Sequence, residues 1–193
     1  MHPAIDRILH TEAEIQERIA SVAATISQRL GGEPLTVIGV LNGAVVFVSD
    51  LIRHLDAPLE LAFVSASSYR DGTTSGSLEL DFLPAPKQIE GRRVLLVDDI
   101  LDTGRTMKGL VAELYARGAA EVHGCVLLDK PSRRVVDIDV DFVGFSIEDA
   151  FVVGYGLDFA GLYRNLPYIG VLKSEHATVP ADDAEPPGTT PSP

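Results

Sequence analysis

The sequence contains very little cysteine and little positive charge. Its one thiol, Cys125, lies in an apolar run typical of a buried strand, so a disulfide framework is excluded and a reducing cytoplasm is expected. Lys and Arg number 16 against 28 Asp and Glu, which gives a formal net charge of -12. Proteins that bind nucleic acid do so largely through clustered Lys and Arg. Nucleic acid is therefore not an expected partner.

Long apolar runs and metal-binding patterns are missing as well. No stretch reaches the roughly 18 apolar residues that a membrane-spanning helix needs, and the first residues lack the basic start and apolar run of a secretory signal. The five histidines are scattered without the spacing of a zinc site, so any metal is expected to have oxygen ligands. A length of 193 residues suits one domain with a small subdomain added. We predict a soluble protein without a membrane partner.

The most informative stretch is residues 94–106, with the sequence VLLVDDILDTGRT. Its first four residues, 94–97, form the continuous apolar run of a strand that is buried on both faces, as in a parallel sheet. Asp98 and Asp99 then come at the carboxyl end of that strand. In open α/β sheets this edge is where ligands bind. The two acids are therefore expected in a binding site.

The loop after these acids predicts a phosphate site. It leads into an amphipathic helix, and backbone N–H groups at a helix start carry partial positive charge. Gly104 allows close approach of the backbone, and the hydroxyls of Thr103 and Thr106 can add hydrogen bonds. Because Asp98 and Asp99 would repel a phosphate, we assign them to sugar hydroxyls or to a hydrated Mg²⁺. A plain strand end followed by a helix cap would explain one Asp and one Thr but not the whole stretch.

The rest of the chain alternates helical and strand patterns, which predicts a mostly parallel sheet flanked by helices. The polar, glycine-rich residues 67–77 lie between two strand patterns, so they are interpreted as a lid over the site, or equally as an exposed hairpin. Residues 173–193 are rich in Pro, Thr and acid and are expected to be disordered. Strands are predicted at 36–40, 59–65, 78–82, 94–97 and 122–128, and helices at 15–30, 44–55 and 107–114.

Residues 94–106 resemble the phosphoribosyl pyrophosphate (PRPP) signature of type I phosphoribosyltransferases, which has two acids, then DTG, a basic residue and Thr. From about residue 11 to residue 172 the chain resembles the bacterial hypoxanthine phosphoribosyltransferases. The most specific segments are DKPSRR at 129–134, FVGFSIEDAFVVGYGLD at 142–158 and YRNLPYIG at 163–170. The resemblance implies a domain over residues 1–172 with the type I phosphoribosyltransferase fold. Its small hood would be built from 151–172 and the N-terminus.

The resemblance also implies a reaction. The enzyme would move the 5-phosphoribosyl group from PRPP to N9 of hypoxanthine, and also of guanine, giving IMP or GMP and pyrophosphate in purine salvage. Mg²⁺ would be the cofactor, and the assembly a homodimer or homotetramer. Two alternatives are a PRPP-sensing regulator of the same fold and a phosphoribosyltransferase for another base, such as xanthine or a pyrimidine.

On the donor side, the resemblance assigns PRPP to the motif loop and to the loop after the strand at 36–40. The family usually has Lys or Arg where this chain has Asn42, so contacts there would depend on backbone N–H groups and the amide; a plain turn is the alternative. Read alone, Arg164 would be a surface residue, but by resemblance it binds pyrophosphate. The donor-side residues are Asp98, Asp99, Thr103, Gly104, Arg105, Thr106, Leu41, Asn42, Gly43 and Arg164, with Ser68 and Tyr69 as the lid pair.

On the base side, the resemblance assigns Lys130 to the 6-oxygen of the purine, Phe151 to stacking and Val152 to backbone contacts. Read alone, Lys130 would be a solvated side chain and Phe151 a core residue. Asp158 would bind Mg²⁺ together with the acid pair of the motif. Asp102 is awkward in a phosphate loop unless it has a task, and we interpret it as the general base that takes the proton from N7. The alternative role of Asp102 is to cap the following helix.

Overall fold

The computed structural model describes residues 1–68 and 78–177. A six-stranded sheet has the order β4-β3-β2-β5-β6-β7, in which all neighbours are parallel except β3 and β4. The prediction of a mostly parallel sheet flanked by helices is therefore confirmed. The strands are β2 (Leu35–Leu41), β3 (Leu59–Ser68), β4 (Leu78–Phe82), β5 (Arg93–Leu101), β6 (Glu121–Asp129) and β7 (Phe142–Ser146). The helices are α1 (Glu12–Leu30), α2 (Val45–Leu51) and α3 (Arg105–Ala116).

Alternate side chains of the central strands enter two separate cores. Leu95 and Val97 of β5 pack in the core formed with α1 and α2, whereas Val94 and Leu96 pack in the core formed with α3. All four are fully buried. Helices therefore cover both faces of the sheet, as the continuous apolar run requires. No helix in the two described ranges is long and apolar enough to cross a membrane.

A second, smaller sheet forms the hood. Its three antiparallel strands have the order β1-β9-β8, with β1 at Ile5–His10, β8 at Val152–Val153 and β9 at Ile169–Leu172. The N-terminal residues and the late segment therefore share one sheet, although the strand pattern of β1 was not recognised in the sequence. Only Ile5 in β1 is fully buried, so this strand has no apolar run.

Several predicted boundaries were wrong, and those of the strands are explained by strand pairing. β5 does not stop before the acids, because its pairing with β6 continues through Asp98 and Ile100 to Leu101. β3 likewise runs on beyond residue 65, while it pairs with β4. The helix predicted at 44–55 ends at Leu51 and is followed by a short 3-10 turn. Residues 174–176 also form a 3-10 turn, whereas the remainder of the predicted disordered tail, 178–193, lies outside the described residues.

Candidate active site

The acid pair of the motif lies in the last part of β5. Asp98 is buried, and its Oδ1 accepts a hydrogen bond of 2.9 Å from the backbone N–H of Asp99. Burial, followed by the negative charge of Asp99, holds the pKa of Asp98 well above its usual range. Burial also raises the pKa of Asp99, while the positive charge of Arg164 opposes that rise. Two crowded carboxyl groups in such a place favour a bound cation or hydroxyl donors.

The loop after β2 lies directly against this acid pair. A Cβ atom on Gly43 would stand 1.7 Å from Oδ2 of Asp99, so a side chain there requires Asp99 or the loop to move. Asn42 is exposed beside it, and the peptide bond between Leu41 and Asn42 is cis. Gly43 of the predicted pyrophosphate loop is thus adjacent to Asp99, and glycine is the residue that permits the approach.

The motif loop requires its glycine as well. Gly104 has φ of +83° and precedes α3, and a Cβ atom there would be 2.7 Å from Cγ2 of Ile138. The hydroxyl of Thr103 accepts a hydrogen bond of 3.4 Å from the backbone N–H of Arg105, the first residue of α3. Thr106 follows in the first turn of α3 and is half-buried. The predicted phosphate loop is therefore the loop that opens α3, although α3 begins one residue before Thr106.

The segment after β6 holds the same loop from the other side. The guanidinium of Arg134 donates to the carbonyl oxygens of Leu101, at 3.0 Å, and Asp102, and it forms an ion pair with Asp129. The carbonyl of Thr103 accepts from the backbone N–H of Val135 at 3.1 Å. The end of β6 and the phosphate loop are therefore fixed to each other. The sequence indicated no such role for Arg134, because its partners are distant in the chain.

A chain of ion pairs connects Asp102 to the candidate base site. Oδ1 of Asp102 lies 3.1 Å from Nε of Arg133, and Nη1 of Arg133 lies 3.8 Å from Oδ2 of Asp149. The other oxygen of Asp149 is 3.9 Å from Nζ of Lys130. Lys130 is buried, in contrast to the solvated lysine that its position before Pro131 suggests in isolation. Arg133 and Asp149 were both missed by sequence reasoning.

Phe151 presents its ring at the surface of the hood. Its side chain is 48% exposed, and it meets Phe159 edge to face with ring centroids 5.2 Å apart. The core role that Phe151 suggests in isolation is therefore wrong. Val152 follows as the first residue of β8 and is buried. An exposed, laterally supported aromatic ring suits stacking on a flat base.

Asp158 and Arg164 are brought together in the hood. Oδ1 of Asp158 is 2.7 Å from Nη2 of Arg164, and Oδ2 accepts from the backbone N–H of Gly161 at 2.8 Å. Arg164 also donates to the carbonyl of Gly156 at 2.6 Å. A Cβ atom on Gly156 would be 2.3 Å from the carbonyl oxygen of Gly43. The hood thus touches the loop after β2, which touches Asp99.

One group of predicted residues, the lid, lies outside the described residues, and the predicted metal ligands do not form a cluster of three. Tyr69, with the rest of the predicted lid at 69–77, lies outside the described residues; β3 ends at its neighbour Ser68. Within residues 1–68 and 78–177, no three His, Cys, Asp or Glu side chains cluster in a metal-binding arrangement. Hydrated Mg²⁺ is commonly held by one or two carboxylates together with substrate phosphates, so the oxygen donors of the acid pair fit this ion.

Comparison with known proteins connects these features. The phosphoribosyl transferase domain model matches residues 5–160. The chain is 45% identical over 169 residues to the hypoxanthine-guanine phosphoribosyltransferase of Bacillus subtilis (strain 168), covering 88% of this chain and 94% of that protein. It is 44% identical to the bifunctional protein TilS/HprT of Listeria monocytogenes, covering 91% of this chain, but it spans only 27% of that protein's length. A crystal structure of a hypoxanthine phosphoribosyltransferase from Staphylococcus aureus superposes with a TM-score of 0.83 at 40% identity, covering 93% and 97% of the two chains.

Proposed function

Because the chain belongs to the hypoxanthine-guanine phosphoribosyltransferase family, we propose that it transfers the 5-phosphoribosyl group of PRPP to N9 of hypoxanthine or guanine. The products are IMP or GMP and pyrophosphate. The observation that carries the proposal is the pairing of a buried cation, Lys130, with Asp149, two residues from the exposed ring of Phe151. A sugar-phosphate sensor has no need of a base site of this kind.

The donor is held where three loops meet: the loop after β2, the motif loop before α3 and the loop of the hood. The hydroxyls and backbone of Thr103 to Thr106 bind the 5-phosphate at the start of α3, while Asp98 and Asp99 face the ribose hydroxyls. The loop 41–43 and Arg164 bind the pyrophosphate, with backbone N–H groups replacing the charge that Asn42 lacks. The acid pair and Asp158 would hold Mg²⁺, which would supply positive charge to the leaving pyrophosphate.

The base enters between the hood and the end of β6. Phe151 stacks on the purine, Lys130 donates to its 6-oxygen, and the backbone at Val152 meets its edge. As the C1–pyrophosphate bond of the donor breaks and N9 forms a bond to C1, the purine loses a proton from N7. Asp102 accepts that proton, as a general base whose orientation is set by Arg133.

The assembly and the location of the enzyme extend the same proposal. We infer a homodimer or homotetramer from the family, in the cytoplasm, where the single buried thiol stays reduced. Size-exclusion chromatography with light scattering measures the assembly. A mass near 20.7 kDa would identify a monomer and contradict this inference.

The test is a base panel. The purified chain is incubated with PRPP, Mg²⁺ and one of hypoxanthine, guanine, xanthine, adenine or uracil, and nucleotide formation is followed by chromatography. We expect IMP and GMP and little product from the other bases. Product from xanthine or uracil alone would assign the enzyme to another base. Donor binding without product from any base would favour the regulator.

A further inference from the structure

Three consecutive residues of the hood have a left-handed backbone. Gly154, Tyr155 and Gly156 have φ values of +98°, +51° and +98°. The two glycines adopt this conformation freely, but a bulky residue adopts it rarely and keeps it only where its surroundings impose it. Tyr155 is also nearly fully buried, in the core that α1 and α2 share with the sheet. The presence of tyrosine at this position must therefore be explained by the contacts of its side chain.

The hydroxyl of Tyr155 is hydrogen-bonded to α2, the helix that follows the loop after β2. It donates to Oδ2 of Asp50, in α2, and the same oxygen accepts from Nε2 of Gln16 at 2.7 Å. Oδ1 of Asp50 lies 3.8 Å from the guanidinium of Arg53. Burial and the neighbouring carboxylate raise the pKa of Tyr155, so the hydroxyl stays a donor. The Asp50 carboxylate of α2 thus receives side chains from α1, from the 3-10 turn that follows α2 and from the hood.

The position of Asp50 in its helix argues that the carboxylate has a task. α2 ends at Leu51, and a negative charge in the last turn opposes the helix dipole. Packing alone does not account for the hydroxyl of Tyr155 either, because a phenylalanine at position 155 would fill the same space as the tyrosine ring. The hydroxyl and the carboxylate are the groups that the core itself does not require.

The turn that Tyr155 anchors carries the donor-binding side of the hood. The backbone N–H of Gly156 donates to the carbonyl of Arg164 at 3.0 Å, and the guanidinium of Arg164 returns a bond to the carbonyl of Gly156. Gly156 also lies against the carbonyl of Gly43. Asp158 follows two residues later. A shift of this turn therefore moves the pyrophosphate-binding residues on both sides of the contact.

We propose that Tyr155 and Asp50 are positioning residues for donor binding. Their hydrogen bond fixes the hood turn to α2, the helix that follows the loop 41–43, and thereby sets Arg164 and Asp158 over that loop. This inference rests on the proposed function, since PRPP is the ligand that the arrangement serves. The described side-chain contacts of the base-site residues Lys130 and Phe151 are with other residues, Asp149 and Phe159.

The test is Tyr155→Phe, with KM for PRPP, KM for hypoxanthine and kcat measured separately. Because a hydrogen bond to a charged group commonly supports about a tenfold change in an equilibrium, we expect KM for PRPP to rise about three- to tenfold. We expect KM for hypoxanthine to stay within about twofold, since Lys130, at the end of β6, has Asp149 as its partner and makes no use of the bond. The matched control is Tyr115→Phe, whose hydroxyl accepts from the backbone N–H of Val122 far from the site and whose loss should change none of the three.

Asp50→Asn is expected to give a smaller effect on KM for PRPP than Tyr155→Phe. A neutral amide accepts a weaker hydrogen bond than a carboxylate, so KM for PRPP should rise in the same direction but by less than in Tyr155→Phe. If Tyr155→Phe does not fold, as judged by circular dichroism, Asp50→Asn decides in its place. An unchanged KM for PRPP in the folded variant, or an equal rise in both KM values, would overturn the proposal and leave the pair a stability element.

Direct binding separates this proposal from the proposed function. If the wild-type chain forms no nucleotide from any base, that function fails, and titration calorimetry of PRPP with Mg²⁺ replaces the kinetic assay. Weaker PRPP binding by Tyr155→Phe than by the wild type then supports the positioning role. Equal binding overturns it.

Discussion

The six-stranded sheet and the hood hold their candidate site residues by different means. The acid pair of the sheet lies within β5, where backbone hydrogen bonds to β6 continue past it to Leu101. In the hood, Asp158 and Arg164 lie on a loop in which six of the ten residues at 154–163 have positive φ. Three of these are not glycine. Across residues 1–68 and 78–177, those are the non-glycine residues with positive φ: Tyr155, Ala160 and Tyr163.

The difference indicates how each side tolerates change. A site residue on a paired strand keeps its place when one side chain is altered, because the backbone ladder is independent of that side chain. A residue on the hood loop depends on a few side-chain bonds, such as the one from Arg164 to Gly156. We therefore expect substitutions at the sheet edge to remove only the function of the altered side chain, and substitutions in the hood to displace neighbouring site residues as well.

The sharpest test on the sheet side is Asp102→Asn. Asparagine keeps an oxygen for Arg133, 3.1 Å away, and serves equally well as a cap, so the loop is expected to stay in place. It cannot accept the proton from N7. General-base help is typically worth about 10²- to 10⁴-fold, so we expect kcat to fall at least about tenfold with little change in KM for PRPP.

Steady-state kinetics at saturating substrates measure this effect, and Asp139→Asn, an exposed acid on the segment that packs against the loop, is the control. Near-normal kcat would return Asp102 to a structural role. Loss of donor affinity with kcat intact would make it a loop-shaping residue, and the sheet edge would then resemble the hood in its sensitivity.

Lys130→Ala tests the base site at the end of β6. Lys130 is buried with Asp149 as its ion-pair partner, so its amino group is already positioned to donate. A cationic donor matches the 6-oxygen of hypoxanthine but not the 6-amino group of adenine. We expect kcat/KM for hypoxanthine to fall about 10- to 100-fold, and the preference over adenine to fall with it.

Lys108→Ala on α3 is the control for the loss of a lysine, since its amino group donates to the backbone of Asp137. Competition between hypoxanthine and adenine in one reaction gives the preference directly. An unaltered ratio would assign selectivity to other groups.

On the hood side, Asp158→Asn separates two roles for one carboxylate. If Asp158 holds Mg²⁺, the concentration of Mg²⁺ at half-maximal rate should rise about tenfold, the lower end of what changes around metal ligands cost. If it only anchors Arg164, 2.7 Å away, KM for PRPP should rise while the Mg²⁺ requirement stays the same. Rates measured over a grid of Mg²⁺ and PRPP concentrations distinguish the two. An unchanged rate throughout the grid would contradict both roles.

The same contrast explains how much could be predicted from the sequence. The strands β2, β5 and β6 have continuous apolar runs, so their existence was predicted correctly and only their ends were wrong. Where β5 ends depends on its pairing with β6, which is a long-range property. β1 and β7 were missed, because β1 has no apolar run and β7 alternates over only five residues.

The candidate site divides in the same way. The phosphate loop and the acid pair are contiguous in sequence, so one motif predicted both of them. The bond from Tyr155 to Asp50 joins residues 105 positions apart, and that from Arg133 to Asp102 joins residues 31 apart. No local pattern contains such pairs. They depend on how the segments are brought together by the fold, which sequence periodicity does not describe.

The smallest expected effect concerns His10, the last residue of β1 in the hood. Its ring stacks on Phe145 of the large sheet with centroids 3.8 Å apart, and its Nε2 is buried without a hydrogen-bond partner among the described residues. Burial lowers the pKa of His10 below its usual value of 6.5, although the charge of Glu14 opposes this. The folded state therefore favours the neutral ring, and unfolding takes up at most about one proton at this site.

The sign of the pH dependence follows from that lowered pKa. The contribution of neutral His10 to stability is fully present above about pH 6.5, the pKa of the unfolded chain, and it is lost as the pH falls toward the folded pKa. We expect His10→Phe, which keeps a ring against Phe145, to lose less stability between pH 7.5 and about 5.5 than the wild type loses. Urea midpoints measured across this range give the comparison, with His54→Phe, an exposed histidine, as the control. Parallel curves for the wild type and His10→Phe would show that proton uptake elsewhere governs acid sensitivity, and that the contact between hood and sheet at His10 is insensitive to pH.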